Sequence, residues 1–126
     1  MAADLTSGGL TLRRLVKRYG AFEAVAGIDL EIQRGEFLTL LGPSGSGKTT
    51  LLMMIAGFQE ASAGDILLDG ASITNTPAEK RNFGMVFQGY ALYPHRTARQ
   101  NISFPLAMRG MARTKRSRVP SEITSR

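Results

Sequence analysis

Eight consecutive residues carry the strongest chemical signal in this chain. Gly42, Pro43, Ser44, Gly45, Ser46, Gly47, Lys48 and Thr49 fit the pattern Gly-x-x-x-x-Gly-Lys-Ser/Thr at every fixed position. The chemistry accounts for each residue type. Glycines let the backbone turn its N–H groups inward around a phosphate with no Cβ in the way. A helix starting at Lys48 would aim its positive N-terminal end at the same phosphates. Lys48 offers a point charge to β- and γ-phosphate oxygens, and the Thr49 hydroxyl is a hard oxygen ligand for Mg²⁺. Four fixed positions match by chance in roughly a few chains per thousand at this length. The competing reading is a Gly/Ser-rich linker that happens to contain Lys-Thr, and the flanking residues argue against it.

Those flanks predict the elements that would hold the loop. Residues 37–41 form a short, nearly all-apolar run after the turn Gln33-Arg34-Gly35-Glu36, which suits a strand buried on both faces. Residues 48–56 are apolar enough for a buried helix, with Gly57 placed as its C′ residue. Upstream, residues 10–15 and 25–32 predict two strands broken at Tyr19-Gly20. Downstream, Ala63-Gly64 turns into a strand over 65–68, and Asp69-Gly70 reads as a hairpin turn into 71–73. Thr76-Pro77-Ala78-Glu79 predicts a short helix with a capping residue, and residues 83–87 a further buried strand. Thr97-Ala98-Arg99-Gln100 is a second capping box, with Pro105 limiting that helix near Ser103. Nothing is assigned beyond Arg109. The fold class is α/β: an antiparallel β region leading into the start of a parallel α/β core.

Composition narrows the function classes. The chain has 126 residues, enough for one domain with its own core, and its 43% apolar and 21% charged content is that of a globular protein. No cysteine is present, which excludes disulfides and thiolate metal sites and fits a reducing cytosol. The start, Met1-Ala2-Ala3-Asp4, does not read as a secretory leader. The longest apolar stretches, such as 51–56, are too short to span a bilayer, so membrane association is expected only through partners. The net charge is +6. It is concentrated in Arg109, Arg113, Lys115, Arg116, Arg118 and Arg126 against Glu122 alone, which leaves the body nearly neutral. A solvated basic tail over 110–126 is favoured over a nucleic-acid arm, and no nucleic-acid partner is expected.

Residues around the loop give it a family resemblance. The run 42–52, extending the loop through Thr50, Leu51 and Leu52, resembles the Walker A segment of ABC ATPases. Some way downstream, Gly84-Met85-Val86-Phe87-Gln88-Gly89-Tyr90-Ala91-Leu92-Tyr93-Pro94-His95 resembles their Q-loop, in wording closest to carbohydrate and polyamine importers. Residues 74–83 lean towards the spermidine/putrescine group. The likeness covers about residues 10–109, and it implies the N-terminal portion of a P-loop NTPase cassette, here residues 1–109. It implies ATP and Mg²⁺ as ligands, gripped by Gly42, Pro43, Ser44, Gly45, Ser46, Gly47, Lys48, Thr49 and Thr50. Tyr19 corresponds to the aromatic residue that stacks on adenine. Gln88 corresponds to the glutamine that touches Mg²⁺ and the attacking water. Lys48 and Gln88 are thus the catalytic candidates, and Thr49 and Gln88 the metal candidates. His95 does not match the family's catalytic histidine and is expected to be structural.

The resemblance also implies partners: membrane subunits, a second ATP-binding subunit arranged head-to-tail, and a place at the cytoplasmic face of the membrane. Arg96, Ala98 and Gln100 depart from the family's usual apolar, β-branched and Glu residues in the segment that faces the membrane subunit. The family's LSGGQ-type signature, Walker B acids and switch histidine are not in the sequence, so a truncated chain without ATP turnover of its own is expected. Two other readings stand beside ATP binding in an importer: a small phosphate-loop kinase or GTPase, and a degenerate, inactive fragment.

Overall fold

The computed structural model describes residues 8–89 and 91–116. The expected leader-free start, Tyr90 and the end of the basic tail lie outside the described residues. The chain divides into two compact units, Met1–Met85 and Val86–Arg126.

The first unit is built on a four-stranded antiparallel sheet in the order β2-β1-β3-β4. Strand β1 is Gly9–Tyr19, β2 Phe22–Gln33, β3 Ala63–Leu68 and β4 Ala71–Ser72. Tyr19 pairs with Phe22, so the first hairpin closes in two residues, with Gly20 at φ 59°. The Asp69-Gly70 turn has φ 51° and 82°, the doubly left-handed backbone that suits Asp-Gly between strands. The Asp69-Gly70 turn stands where the sequence put it, while the first turn is Gly20-Ala21, one residue later than the expected break, with Tyr19 still in the strand. Strands β1, β2 and β3 run longer than expected because pairing carries them past their apolar centres, and β4 stops one residue short of the expected Ile73.

A bulge in β1 decides what the sheet buries. The register of β1 shifts between Leu12 and Leu15, Arg14 sits at φ 43°, and its N–H donates to the Asp29 carboxylate at 2.9 Å. Residues three apart on a regular strand face opposite ways. The extra residue turns Leu15 to the same side as Leu12, and both are fully buried.

Against this face lies helix α1, Lys48–Ala56. Its Leu51 and Met54 join Leu12, Leu15, Val25 and Ile66 in one core. Gly57 ends it in the left-handed conformation, as expected from the sequence. The helix is covered on one side only, since Leu52 is 47% exposed, which corrects the expectation of a buried helix. Two further corrections concern strands. Residues 37–41 and 83–87 are irregular rather than strands. A strand needs a ladder, and among the described residues no strand pairs with either segment. Phe37 and Leu41 are 93% and 90% exposed and Val86 92%, while Leu40 packs on the core.

Helix α2, Ala78–Arg81, follows an extended Pro77. Pro77 is the N-cap and no side chain caps it, so Thr76 does not play its expected part. What fixes this segment is Arg81, which is 6% exposed. Its guanidinium donates to the carbonyls of Met54 (2.9 Å), Ile55 (2.9 Å), Thr74 (3.0 Å) and Thr76 (2.7 Å). Two of these acceptors lie in the last turn of α1, where a cation suits the helix dipole, and the Met54 carbonyl accepts from the Gly57 N–H as well. Burial lowers the pKa of Arg81, but guanidinium is too basic to lose its proton. Gly57 leaves the room, since a Cβ there would meet Arg81 Nε at 2.8 Å.

In the second unit, helix α3 is Ala98–Met108. Its capping box is complete: Thr97 Oγ1 accepts from the Gln100 N–H and Gln100 Oε1 accepts from the Thr97 N–H. Pro105 does not stop it near Ser103. Proline removes one N–H, yet the helix runs on to Met108, and the Arg109 N–H closes it by donating to the Pro105 carbonyl at 3.2 Å. Arg96 packs its guanidinium 4.6 Å from the Phe104 ring centroid, and the His95 ring lies edge-on to Tyr93. One turn, α4 (Arg113–Arg116), forms in the segment beyond Arg109.

Arg81→Met should lower unfolding stability by about 3 kcal/mol, because four carbonyls lose a charged donor together. Arg81→Lys should recover only part of it, since an ammonium cannot fork across four acceptors. Urea unfolding followed by circular dichroism measures both.

Candidate functional site

The loop before α1 is shaped by two left-handed glycines, Gly45 at φ 79° and Gly47 at φ 89°. Gly47 is the N-cap of α1, and a Cβ there would overlap the Ala24 carbonyl oxygen of β2. Only glycine satisfies both the backbone angle and that approach. The Ser46 N–H donates to the Pro43 carbonyl at 3.2 Å, and the first helical bond runs from the Leu51 N–H to the Gly47 carbonyl at 2.9 Å.

The N–H groups ahead of Leu51 therefore have no helical partner. No side chain caps α1, and no acid stands in its first turn. Lys48, Thr49 and Thr50 thus present backbone donors and the positive helix end to whatever occupies the loop. The Lys48 ammonium lies over the same loop. It donates to the carbonyls of Gly42 (2.5 Å) and Pro43 (2.7 Å) and to Ser46 Oγ (2.9 Å). These three acceptors match its three donors, so a phosphate oxygen would engage Lys48 by replacing one of them.

A cleft of about 400 Å³ opens on this loop, lined by Tyr19, Phe22, Ala24 and residues 44–50. Tyr19 comes from the end of β1 and is 47% exposed. Its hydroxyl donates to Gln59 Oε1 at 3.3 Å, and Lys17 Nζ lies 5.2 Å from its ring centroid. Lys17 also donates to the Glu60 carbonyl at 2.7 Å, which ties the strand end to the chain following α1. The structure thus gathers Tyr19, Ser44, Gly45, Ser46, Gly47, Lys48, Thr49 and Thr50 around one cleft, with Gly42 and Pro43 holding Lys48.

Gln88 stands in the second unit, exposed, in a turn at 88–89. Sequence reasoning passed over Phe22 and Ala24, which also line the cleft. The two-residue turn after Tyr19 was the available signal for Phe22, since it sets that residue opposite Tyr19. No cluster of three or more His, Cys, Asp or Glu occurs among the described residues. A Mg²⁺ ion here would rely on the exposed Thr49 hydroxyl, a hard oxygen that suits a metal keeping several waters.

Comparison with known proteins agrees with this geometry. A family profile described as ABC transporter matches residues 25–125, past the Arg109 limit of the motif resemblance. The chain is 55% identical over 117 residues to the spermidine/putrescine import ATP-binding protein PotA of Nitrosomonas eutropha, covering 93% of this chain and 30% of that protein. It is 41% identical over 121 residues to the protein of the same name from Thermotoga maritima, covering 96% of this chain and 33% of that one. The chain therefore spans about a third of the length of these relatives. Among solved structures, a dimeric bacterial ABC transporter cassette superposes with a TM-score of 0.76 at 29% identity, over 86% of this chain and 53% of that one. A post-hydrolysis cassette bound to ADP and phosphate gives 0.73 at 29% identity over the same shares.

Gly47→Ala should cost at least about 2 kcal/mol, from a left-handed backbone carrying a Cβ and from its overlap with Ala24. The expected result is a lower melting temperature together with weakened phosphate binding. An unchanged melting temperature would mean that the loop does not need this backbone.

Proposed function

The chain belongs to the ABC transporter family, and from that premise we propose that it grips ATP·Mg as part of the nucleotide-binding subunit of an importer. One observation carries this reading. A single cleft holds an uncapped helix N-terminus, the Lys48 ammonium and the Thr49 hydroxyl, with an aromatic ring, Tyr19, in the same lining. Phosphates are recognised by backbone N–H groups and Lys48, and the base by the exposed face of Tyr19. Mg²⁺, held in part by Thr49, would neutralise charge on the β- and γ-phosphates. Gln88 is carried as a further Mg²⁺ and water contact by the resemblance of its surrounding residues.

In the complete protein, ATP hydrolysis would drive transport. The names of the relatives support polyamine import, and the dimeric cassette supports pairing with a second ATP-binding subunit. Docking on membrane subunits at the cytoplasmic face follows from the same reading. Among the described residues, no helix is long and apolar enough to cross a membrane.

By itself the 126-residue chain should bind without hydrolysing. Water attack on a phosphate needs a carboxylate or equivalent base within hydrogen-bond reach. The neighbouring cleft on the same loop includes one carboxylate, Glu23, which is paired with Arg18 at 2.9 Å, and the described residues lining the phosphate cleft include none. The lack of a carboxylate there supports gripping without cutting.

Lys48→Ala should weaken ATP by about 1.5–3 kcal/mol, the range for a hydrogen bond to a charged group. Equilibrium dialysis with Mg·ATP measures it, and an unchanged affinity would remove the reading. Tyr19→Ala should cost about 1–3 kcal/mol and Tyr19→Phe little, because stacking uses the ring. A phosphate-release assay with excess Mg·ATP should show no Lys48-dependent turnover by the chain alone. Turnover that disappears in Lys48→Ala would point instead to a small phosphate-loop kinase or GTPase.

A further inference from the structure

The tip of the β1–β2 hairpin carries two aromatic residues, and the nucleotide reading uses only one. Tyr19 and Phe22 are partners in the ladder across Gly20-Ala21. Directly opposed residues of an antiparallel pair put their side chains on the same face, with Cβ atoms about 5 Å apart. Both line the phosphate cleft, whose other lining residues are Ala24 and residues 44–50. Phe22 is 62% exposed, so covering the core does not account for its size.

The two rings differ in how they are held. Tyr19 is tied by its hydroxyl to Gln59, and the Lys17 ammonium stands over its ring. One face of that ring is thereby covered by a cation, which leaves the other for a base. Phe22 has no polar atom to tie. It also borders a neighbouring cleft of about 440 Å³, where Val25, Ile28, Leu40, Leu41 and Leu51 meet Glu23 and the same loop residues 45–48. Its ring thus stands where the phosphate loop meets the apolar wall of Val25, Ile28 and Leu40.

We propose that Phe22 is a second nucleobase-contacting residue, packing its ring against the apolar surface of a purine nucleotide whose base stacks on Tyr19. This rests on the nucleotide reading above and adds a residue to it. A phenyl ring offers no hydrogen bond to a base edge, so Phe22 adds affinity for purine nucleotides in common and does not separate adenine from guanine. It contributes nothing to a ligand without a base.

Titration calorimetry of the full chain with ATP, GTP and inorganic tripolyphosphate tests this. Phe22→Ala should weaken ATP and GTP alike by about tenfold and leave tripolyphosphate unchanged. Phe22→Tyr, which keeps the ring, should restore both nucleotides. Unchanged tripolyphosphate affinity in Phe22→Ala also shows that the loop is intact, so lost ATP affinity is not misfolding. Full ATP affinity in Phe22→Ala overturns the proposal, and so does an equal loss for tripolyphosphate. Lys48→Ala should weaken all three ligands. If it weakens them while Phe22→Ala is silent, Phe22 is excluded and the nucleotide reading stands.

Discussion

The packing of α1 on the antiparallel sheet is the contact on which the rest of the structure depends. Leu51 and Met54 meet Leu12, Leu15, Val25 and Ile66 in the core, and Leu51 lies only one turn from the start of the helix. Fixing that turn fixes the loop before it. Gly47 then has to approach the Ala24 carbonyl closely, and the N–H groups that lack helical partners belong to residues lining the cleft. The same sheet ends in the hairpin that carries Tyr19. The phosphate end and the aromatic end of the cleft are therefore two consequences of one packed surface.

Two polar arrangements preserve this geometry. Arg81 binds the last turn of α1 to the chain at 74–76 through four carbonyls, so the helix is anchored at its C-terminal end by charge and near its start by apolar packing. The bulge at Arg14, stabilised by Asp29, lets β1 contribute two leucines to a core that a regular strand would have given one. Gly64 completes it, since a Cβ there would overlap the Arg14 carbonyl oxygen.

Features set by local chemistry were legible in the sequence. The limits of α1, its Gly57 stop, the Asp69-Gly70 turn and the Thr97-Gln100 capping box each depend on a few neighbouring residues, and each appears as read. Features set by distant partners were not. The apolar runs 37–41 and 83–87 report a preference for burial, but strand formation requires a ladder that their own residues cannot supply. Arg81 reads as a surface charge, because its four acceptors come from two separate stretches of chain. Phe22 was not read from the sequence, which began the second strand at residue 25, and only the structure shows that it pairs with Tyr19 and that both rings line one cleft. Pro105 was over-read, since one missing N–H does not end a helix that runs on to Met108.

The central claim is that backbone N–H groups at the start of α1 form the seat for phosphates. Amide proton–nitrogen correlation spectra of the chain, recorded while inorganic tripolyphosphate is added, test it most directly. The account predicts that the amides of residues 45–50 shift most and together, with one common binding curve, while those of β3 and β4 hold still. Shifts centred on the basic residues 109–116, with the amides of 45–50 unmoved, would contradict it.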